Sequence, residues 1–219
     1  MKQSSGGRWR ILGMTLLLAL AVSACSRPLT QSEEAFANDL FGPSLDTSKV
    51  RVSRNFGLRP PPQSNFGQPK LVRPTEKACV RTPQPALSQP PQAFALFNRV
   101  HFGSSLYSSE MALGWPRGLR VPQTLIFAHE LTHAWQWQNR DITGYHPLRA
   151  AAESFRFADP YFSEGAAPFF NFGYEQQAAI VEDYVCFAFA NPNHPRRQEL
   201  RAILEPVLPI DEFDAILGR

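Results

Sequence analysis

The sequence predicts an α+β fold: a short N-terminal sheet, a mainly α-helical remainder, and a proline-rich tether ahead of both. Three observations predict it. Eleven of the twenty prolines lie between residues 27 and 91, a density that forbids helices and central strands and favours extended chain. Residues 96–107, LFNRVHFGSSLY, are rich in β-branched and aromatic side chains with partial alternation, which suits one or two short strands. Two apolar runs without breakers then follow, one beginning at Gln123 and one near Tyr174, and these read as helices. With 219 residues, 43% of them hydrophobic, the chain can bury one ordinary core, so one folded domain is expected.

The first segment stands outside that domain. Residues 1–24 combine Lys2, Arg8 and Arg10 with the apolar run ILGMTLLLALAVSA at 11–24, which is too short to span a bilayer comfortably and has the pattern of an export signal. It closes on VSAC at 22–25, which resembles the bacterial lipobox: a branched apolar residue, two small residues, then the cysteine that is acylated and becomes the mature N-terminus. The resemblance implies a membrane anchor through lipidated Cys25, and Ser26 in the next position implies the outer membrane, facing the periplasm. An ordinary signal peptide or an uncleaved anchor is the alternative for the same run. The segment also explains the formal charge of +3, since 22 basic residues less these three leave 19 against 19 acidic ones. A neutral mature chain has no electrostatic case for binding nucleic acid.

Residues 25–93, with RPPPQ at 59–63 and TPQPALSQPPQ at 82–92, form the expected tether, which would hold a domain at 94–219 away from the lipid surface. Cys79 and Cys186 remain. In an oxidising compartment they form either a disulfide or two unpaired thiols, and spacing does not choose between them.

After the strands comes the glycine-rich loop LGWPRGLRVP at 113–122, then Pro122 where a first-turn proline belongs, opening a helix over 123–139. Its apolar residues, Leu125, Phe127, Leu131, Ala134 and Trp135, fall on several sides, as in a helix enclosed by its domain. His129, Glu130 and His133 therefore sit where an unpartnered polar group costs about 1–3 kcal/mol, and they need a common explanation. His129 and His133 are four residues apart and project from one face, close enough to grip one metal ion, with Glu130 one step around. This is the HExxH pattern of zinc peptidases, in which the glutamate takes a proton from water at the ion.

A third protein ligand is required. The continuation HExxHxxGxxH fails, because Gln136 and Asn139 occupy the glycine and third-histidine positions. The second helix, beginning near Tyr174 and stopping before Pro192, offers Glu175 in its first turn and Glu182 seven residues on, returning to the same face. At this point the sequence resembles the gluzincin type of zincin, whose second active-site helix brings a glutamate to the ion in an ExxA-like setting: EQQA at 175–178 matches. HELTHAWQ followed by YEQQAAIVEDY is similar to the paired motifs of small bacterial zincin-like domains linked with secretion and toxin systems. The resemblance, which covers roughly residues 100–190, implies Zn2+ held by His129, His133 and Glu175, with Glu130 as catalytic base and a peptide or protein as substrate. Where many gluzincins carry an aspartate four residues after the ligand, this chain has Ala179, so Asp183 or Glu182 is left to orient a histidine. Glu182 also stays open as the third ligand.

The reaction implied is amide hydrolysis, with Glu130 passing its proton to the departing amine. His194, Tyr161 and His146 are candidates for the oxyanion donor, and His101 lies on the strand that, by the resemblance, would pair with an extended substrate. Between the helices a short helix is expected from Pro147, then an aromatic, turn-rich stretch suited to packing or to a cleft wall. The tail from Arg196 reads as two short helices broken at Pro206 and Pro209. Two further classes stay open: a zinc-binding lipoprotein without turnover, acting as scaffold or partner of an envelope or secretion system, and a deformylase-like hydrolase with Cys79 as ligand. Nothing in the sequence speaks to oligomeric state.

Overall fold

The computed structural model describes residues 26–55, 73–82, 92–156, 159–163 and 165–218. Cys25, the export segment, RPPPQ and most of the second proline-rich run lie outside the described residues.

The fold is α+β, and it begins earlier than expected. Strand β1 (Ser26–Arg27) leads directly into helix α1 (Gln31–Phe41). That helix is opened by a capping box: the Glu33 amide donates to Thr30 Oγ1 at 3.3 Å while the Thr30 amide donates to the Glu33 carboxylate at 2.9 Å. Phe36, Ala37, Leu40 and Phe41 are wholly buried along one face. Two short 3-10 turns, Gly42–Ser44 and Thr47–Lys49, lead to strand β2 (Arg51–Arg54), with Val50 and Val52 in the core. The domain start at 94 is therefore corrected, and residues 26–55 belong to the fold, while most of the proline-rich stretch expected as tether lies outside the described residues. Pro28 and Pro43 flank α1 instead of interrupting it, and a proline density averaged over sixty-odd residues hides a proline-free amphipathic helix.

Helix α2 (Glu76–Cys79) follows, then a hairpin of β3 (Ala93–Leu96) and β4 (Arg99–Phe102), a few residues ahead of the one or two strands expected within 96–107. The four-stranded sheet has the order β1-β2-β4-β3. The β1/β2 and β3/β4 pairs are antiparallel, and β2/β4 is parallel with Val52 opposite Val100. Since β4 has neighbours on both edges, the strand of His101 cannot pair with a substrate; β3 is the edge strand beside the next helix.

Helix α3 (Gln123–Gln138) is buried nearly all round, as its scattered apolar residues required. Helices α4 (Arg140–Thr143) and α5 (Pro147–Arg156) lead to α6 (Tyr174–Ala190), which packs on α3. Helices α7 (Pro195–Leu204) and α8 (Ile210–Ile216) complete the tail. Trp115 joins the ends of the chain, meeting Phe36 edge-on at 4.9 Å and stacking on Phe213 at 5.4 Å. Cys79 and Cys186 are joined in a disulfide that links α2 to α6 across 107 residues. A disulfide sulfur is no metal ligand, which removes the deformylase-like reading. Among the described residues no helix is long and apolar enough to cross a membrane.

Candidate metal centre

The contact between α3 and α6 is where the polar residues of both helices meet. His129, His133 and Glu175 each offer one donor atom, and these atoms lie within 4.8 Å of one another, so the cluster can hold a metal ion. The Nε2 atoms of His129 and His133 stand 3.1 Å and 3.2 Å from the same Glu175 oxygen, Oε2. Helix geometry supplies the first two donors, one turn apart on α3. The third comes from the first turn of α6, whose start is fixed from outside by the Tyr174 amide donating to Glu153 at 2.7 Å and from within by the Gly173 amide donating to Gln176 Oε1 at 3.0 Å.

The other nitrogen of each imidazole is also engaged. His129 Nδ1 lies 3.2 Å from Glu182 Oε2, and His133 Nδ1 lies 2.8 Å from Gln136 Oε1. Gln136 Nε2 in turn donates to Gln177 Oε1 at 2.8 Å and to the Tyr174 carbonyl at 3.3 Å, while Gln177 donates to the Phe172 carbonyl at 2.8 Å. With its amide nitrogen committed as donor, Gln136 can only accept from His133 Nδ1, which turns Nε2 towards Glu175 and makes it the nitrogen whose lone pair a metal ion would take once its proton has left. Glu182 thus stands behind His129, outside the donor triangle, in the orienting position left open by Ala179. Asp183 instead accepts from Arg81 Nε at 2.8 Å.

The charges reinforce this layout. Burial works against ionisation of His129, but the Glu175 and Glu182 carboxylates outweigh it and lift its pKa to about 10; His133 is raised for similar reasons. Burial likewise opposes charge on Glu175, yet the two imidazoles hold it well below the usual carboxylate range. Glu182, with Arg81 and His129 against it, is drawn down to about 2 despite its burial. Glu130 differs from both: burial pushes it up to about 7, and its Oε2 is buried without a hydrogen-bond partner.

Of the expected oxyanion donors, Tyr161 is at the site, its ring 5.7 Å from that of His129. His146 is not; it packs at the surface against Phe97 and Trp137. His194 caps α7 by accepting from the Arg196 amide and stacks on Phe187 at 4.4 Å. It lines a neighbouring pocket of about 490 Å³ with Arg81, Phe162 and Asp183. His101 is buried within the sheet, 2.6 Å from Ser53 Oγ and stacked on Phe94. Two residues went unassigned from the sequence. Gln136 carried a signal, since it lies three residues after His133 on the same face; Tyr145, whose ring stacks 5.7 Å from that of His133, carried none. Burial raises the pKa of both Tyr145 and Tyr161, so each phenol keeps its proton at neutral pH.

The chain matches no protein-family model and no curated protein. Among solved structures it is similar to the effector domain of Pseudomonas aeruginosa VgrG2b, at 22% identity over 90% of this chain and 98% of that one, with a TM-score of 0.48. A likeness of that degree leaves the activity to be argued from the residues themselves.

Proposed function

We propose that the chain is a zinc-dependent peptidase of the bacterial cell envelope, of the gluzincin type, hydrolysing amide bonds with Glu130 as general base. One juxtaposition carries the reading: three converging donors from His129, His133 and Glu175 stand beside a buried Glu130 oxygen that has no partner of its own. The donor set fits zinc, two imidazoles and a carboxylate being three protein ligands that leave a position for water or substrate. Both imidazoles have the outer partner that zinc-binding histidines normally carry. When bound, zinc supplies Lewis acidity, polarising a substrate carbonyl and lowering the pKa of water towards about 7.

The chain's own residues supply the rest. Glu130, held on α3 one residue after His129 and three before His133, takes the proton of the attacking water and returns it to the departing amine. Tyr161 lies against the ring of His129 and Tyr145 against that of His133, which makes their phenols the candidates for stabilising a developing oxyanion. The edge strand β3 lies beside α3 and offers an extended peptide a backbone to pair with. An acyl chain on Cys25 would place this activity on a membrane, and the Cys79–Cys186 disulfide supports an oxidising compartment.

The test compares the wild type with Glu130→Gln, measuring zinc content and hydrolysis of an unfolded protein substrate. Equal zinc and at least a hundredfold loss of turnover is the expected result, within the usual range for a lost general base. Undiminished hydrolysis by Glu130→Gln would remove the peptidase reading. Stoichiometric zinc with no hydrolysis by either protein would leave the scaffold role.

A further inference from the structure

A second charged group of the molecule touches the donor triangle from behind, and its members come from different stretches of chain. Arg81 lies two residues beyond Cys79, and its Nη2 donates to Glu182 Oε2 at 2.6 Å while its Nε donates to Asp183 Oδ1 at 2.8 Å. The oxygen that accepts from Arg81 is the one 3.2 Å from His129 Nδ1. A single carboxylate oxygen is therefore shared between a guanidinium and the rear nitrogen of a metal-ligating imidazole. The guanidinium thus makes one hydrogen bond to each of two neighbouring carboxylates, and its rigid planar array of donors sets their positions as well as offsetting their charge.

Arg81 is carried by a short piece of structure. Helix α2 has four residues, with no side-chain hydrogen bond from its N-cap, Thr75. Glu76 reaches Asn191 at 2.9 Å and His194 at 3.3 Å, but its side chain is half exposed. The covalent attachment is the disulfide to Cys186, which stands four residues after Glu182 on α6 and so on the same face. The bond from Cys79 to that face brings Arg81 over Glu182.

We propose that Arg81 is a positioning residue for the metal centre, acting on His129 through Glu182, and that the Cys79–Cys186 disulfide holds it there, so that metal affinity is coupled to the oxidation state of the two cysteines. The inference rests on the reading of His129, His133 and Glu175 as ligands of a divalent ion. Opening the clamp is a thiol–disulfide exchange: a dithiol gives up two electrons and two protons, its sulfurs join, and Cys79 and Cys186 are released as two thiols. In a reducing compartment the ion is then held weakly, and the site tightens once the disulfide forms.

The experiment measures Zn2+ affinity of the full chain by competition with a chromogenic chelator, and the visible absorption of the Co2+ form as a report on imidazole coordination. Loss of an outer partner costs about 10–100-fold in metal affinity. Arg81 acts one step further out, so Arg81→Ala should weaken Zn2+ about tenfold and alter the Co2+ spectrum with the disulfide intact, and Arg81→Lys should restore part of the loss. The double variant Cys79→Ser, Cys186→Ser should show the same loss, and adding Arg81→Ala to it should cost nothing more, because the disulfide acts through Arg81. Wild-type affinity in Arg81→Ala, or losses that add in the triple variant, overturns the inference while the metal site stands. Should the double variant fail to fold, Zn2+ affinity of the wild-type chain before and after reduction by a water-soluble phosphine decides the disulfide part, unchanged affinity overturning it. Zinc retained in His133→Ala instead removes the underlying site, and the inference with it.

Discussion

His133 shows how much of the candidate site is settled by single atoms. Its Nε2 faces Glu175 only because Nδ1 is already taken by Gln136, whose own amide is committed to Gln177 and the Tyr174 carbonyl. Gln136→Leu keeps the helix and its volume but removes the acceptor, and zinc affinity should fall about 10–100-fold in a chelator competition while the far-ultraviolet circular dichroism is unchanged. His101 is the reverse case, a histidine that works neutral. Burial, aided by Arg99, pushes its pKa down to about 4 from the ordinary 6.5. Above pH 6.5 the folded and unfolded chains both carry it uncharged. Below that the unfolded chain takes up a proton that the folded chain refuses, so stability falls until about pH 4. In urea titrations the drop between pH 7 and pH 4 should be about 1–3 kcal/mol smaller for His101→Gln than for the wild type. Residue-level chemistry was legible where it is local: HExxH places two imidazoles by helix geometry alone. Spacing alone did not separate Glu175 from Glu182, because seven residues bring both to one face; the resemblance favoured Glu175, and the height at which α6 crosses α3 brings Glu175 to Nε2 and Glu182 to Nδ1 of His129.

The elements tell a similar story of local signals read and distant ones missed. α3, α5 and α6 follow from runs without breakers, with Pro122 at the N-cap of α3 and Pro147 in the first turn of α5, and Pro206 and Pro209 lie between the end of α7 at Leu204 and the start of α8 at Ile210. The tail nevertheless shows no chemistry in sequence, although it is bolted to α6 by a buried polar cluster. Tyr184 donates to both oxygens of Asp214 at 2.8 Å, Arg201 Nη1 reaches Asp214 Oδ2 at 2.7 Å, and Arg197 pairs with Oδ1. Arg197 and Asp214 are both buried, so removing one leaves the other charged without its counterpart in a poor solvent for charge. Asp214→Ala should therefore cost about 3–5 kcal/mol in chemical denaturation. Tyr184→Phe, which takes away one hydroxyl and no charge, should cost nearer 1 kcal/mol. Partners thirteen to thirty residues apart leave no periodicity for a sequence to display.

At the scale of the whole molecule the question is where the folded domain begins, and here averaged composition and actual packing point in opposite directions. Glu33, wholly buried, accepts from Arg27 through both oxygens at 2.6 Å and 2.8 Å and from the Met111 amide at 2.8 Å, so β1, α1 and the loop before α3 share one ion pair. Phe36, Leu40, Phe41, Val50 and Val52 are each fully buried. At about 1.5–3 kcal/mol per side chain their burial is worth on the order of 10 kcal/mol, as much as the net stability of an ordinary domain. The disulfide adds a constraint of about 2–4 kcal/mol from outside 94–219. A fragment of residues 94–219 keeps His129, Glu130, His133 and Glu175 but should show no cooperative thermal transition and no stoichiometric zinc, whereas 26–219 should show both. A folded, zinc-loaded 94–219 fragment would restore the tether. Anchoring follows the same logic. Because Ser26 is already paired in the sheet with Ser53, an acyl chain on Cys25 leaves no spacer, and the sheet end carrying Ser26 would rest at the lipid surface. A spin label at Ser104, whose hydroxyl bonds Asn55 just past β2, should then be shielded from an aqueous quencher in lipid-anchored protein and fully accessible in the lipid-free form. Equal accessibility in both would mean that the domain stands clear of the bilayer.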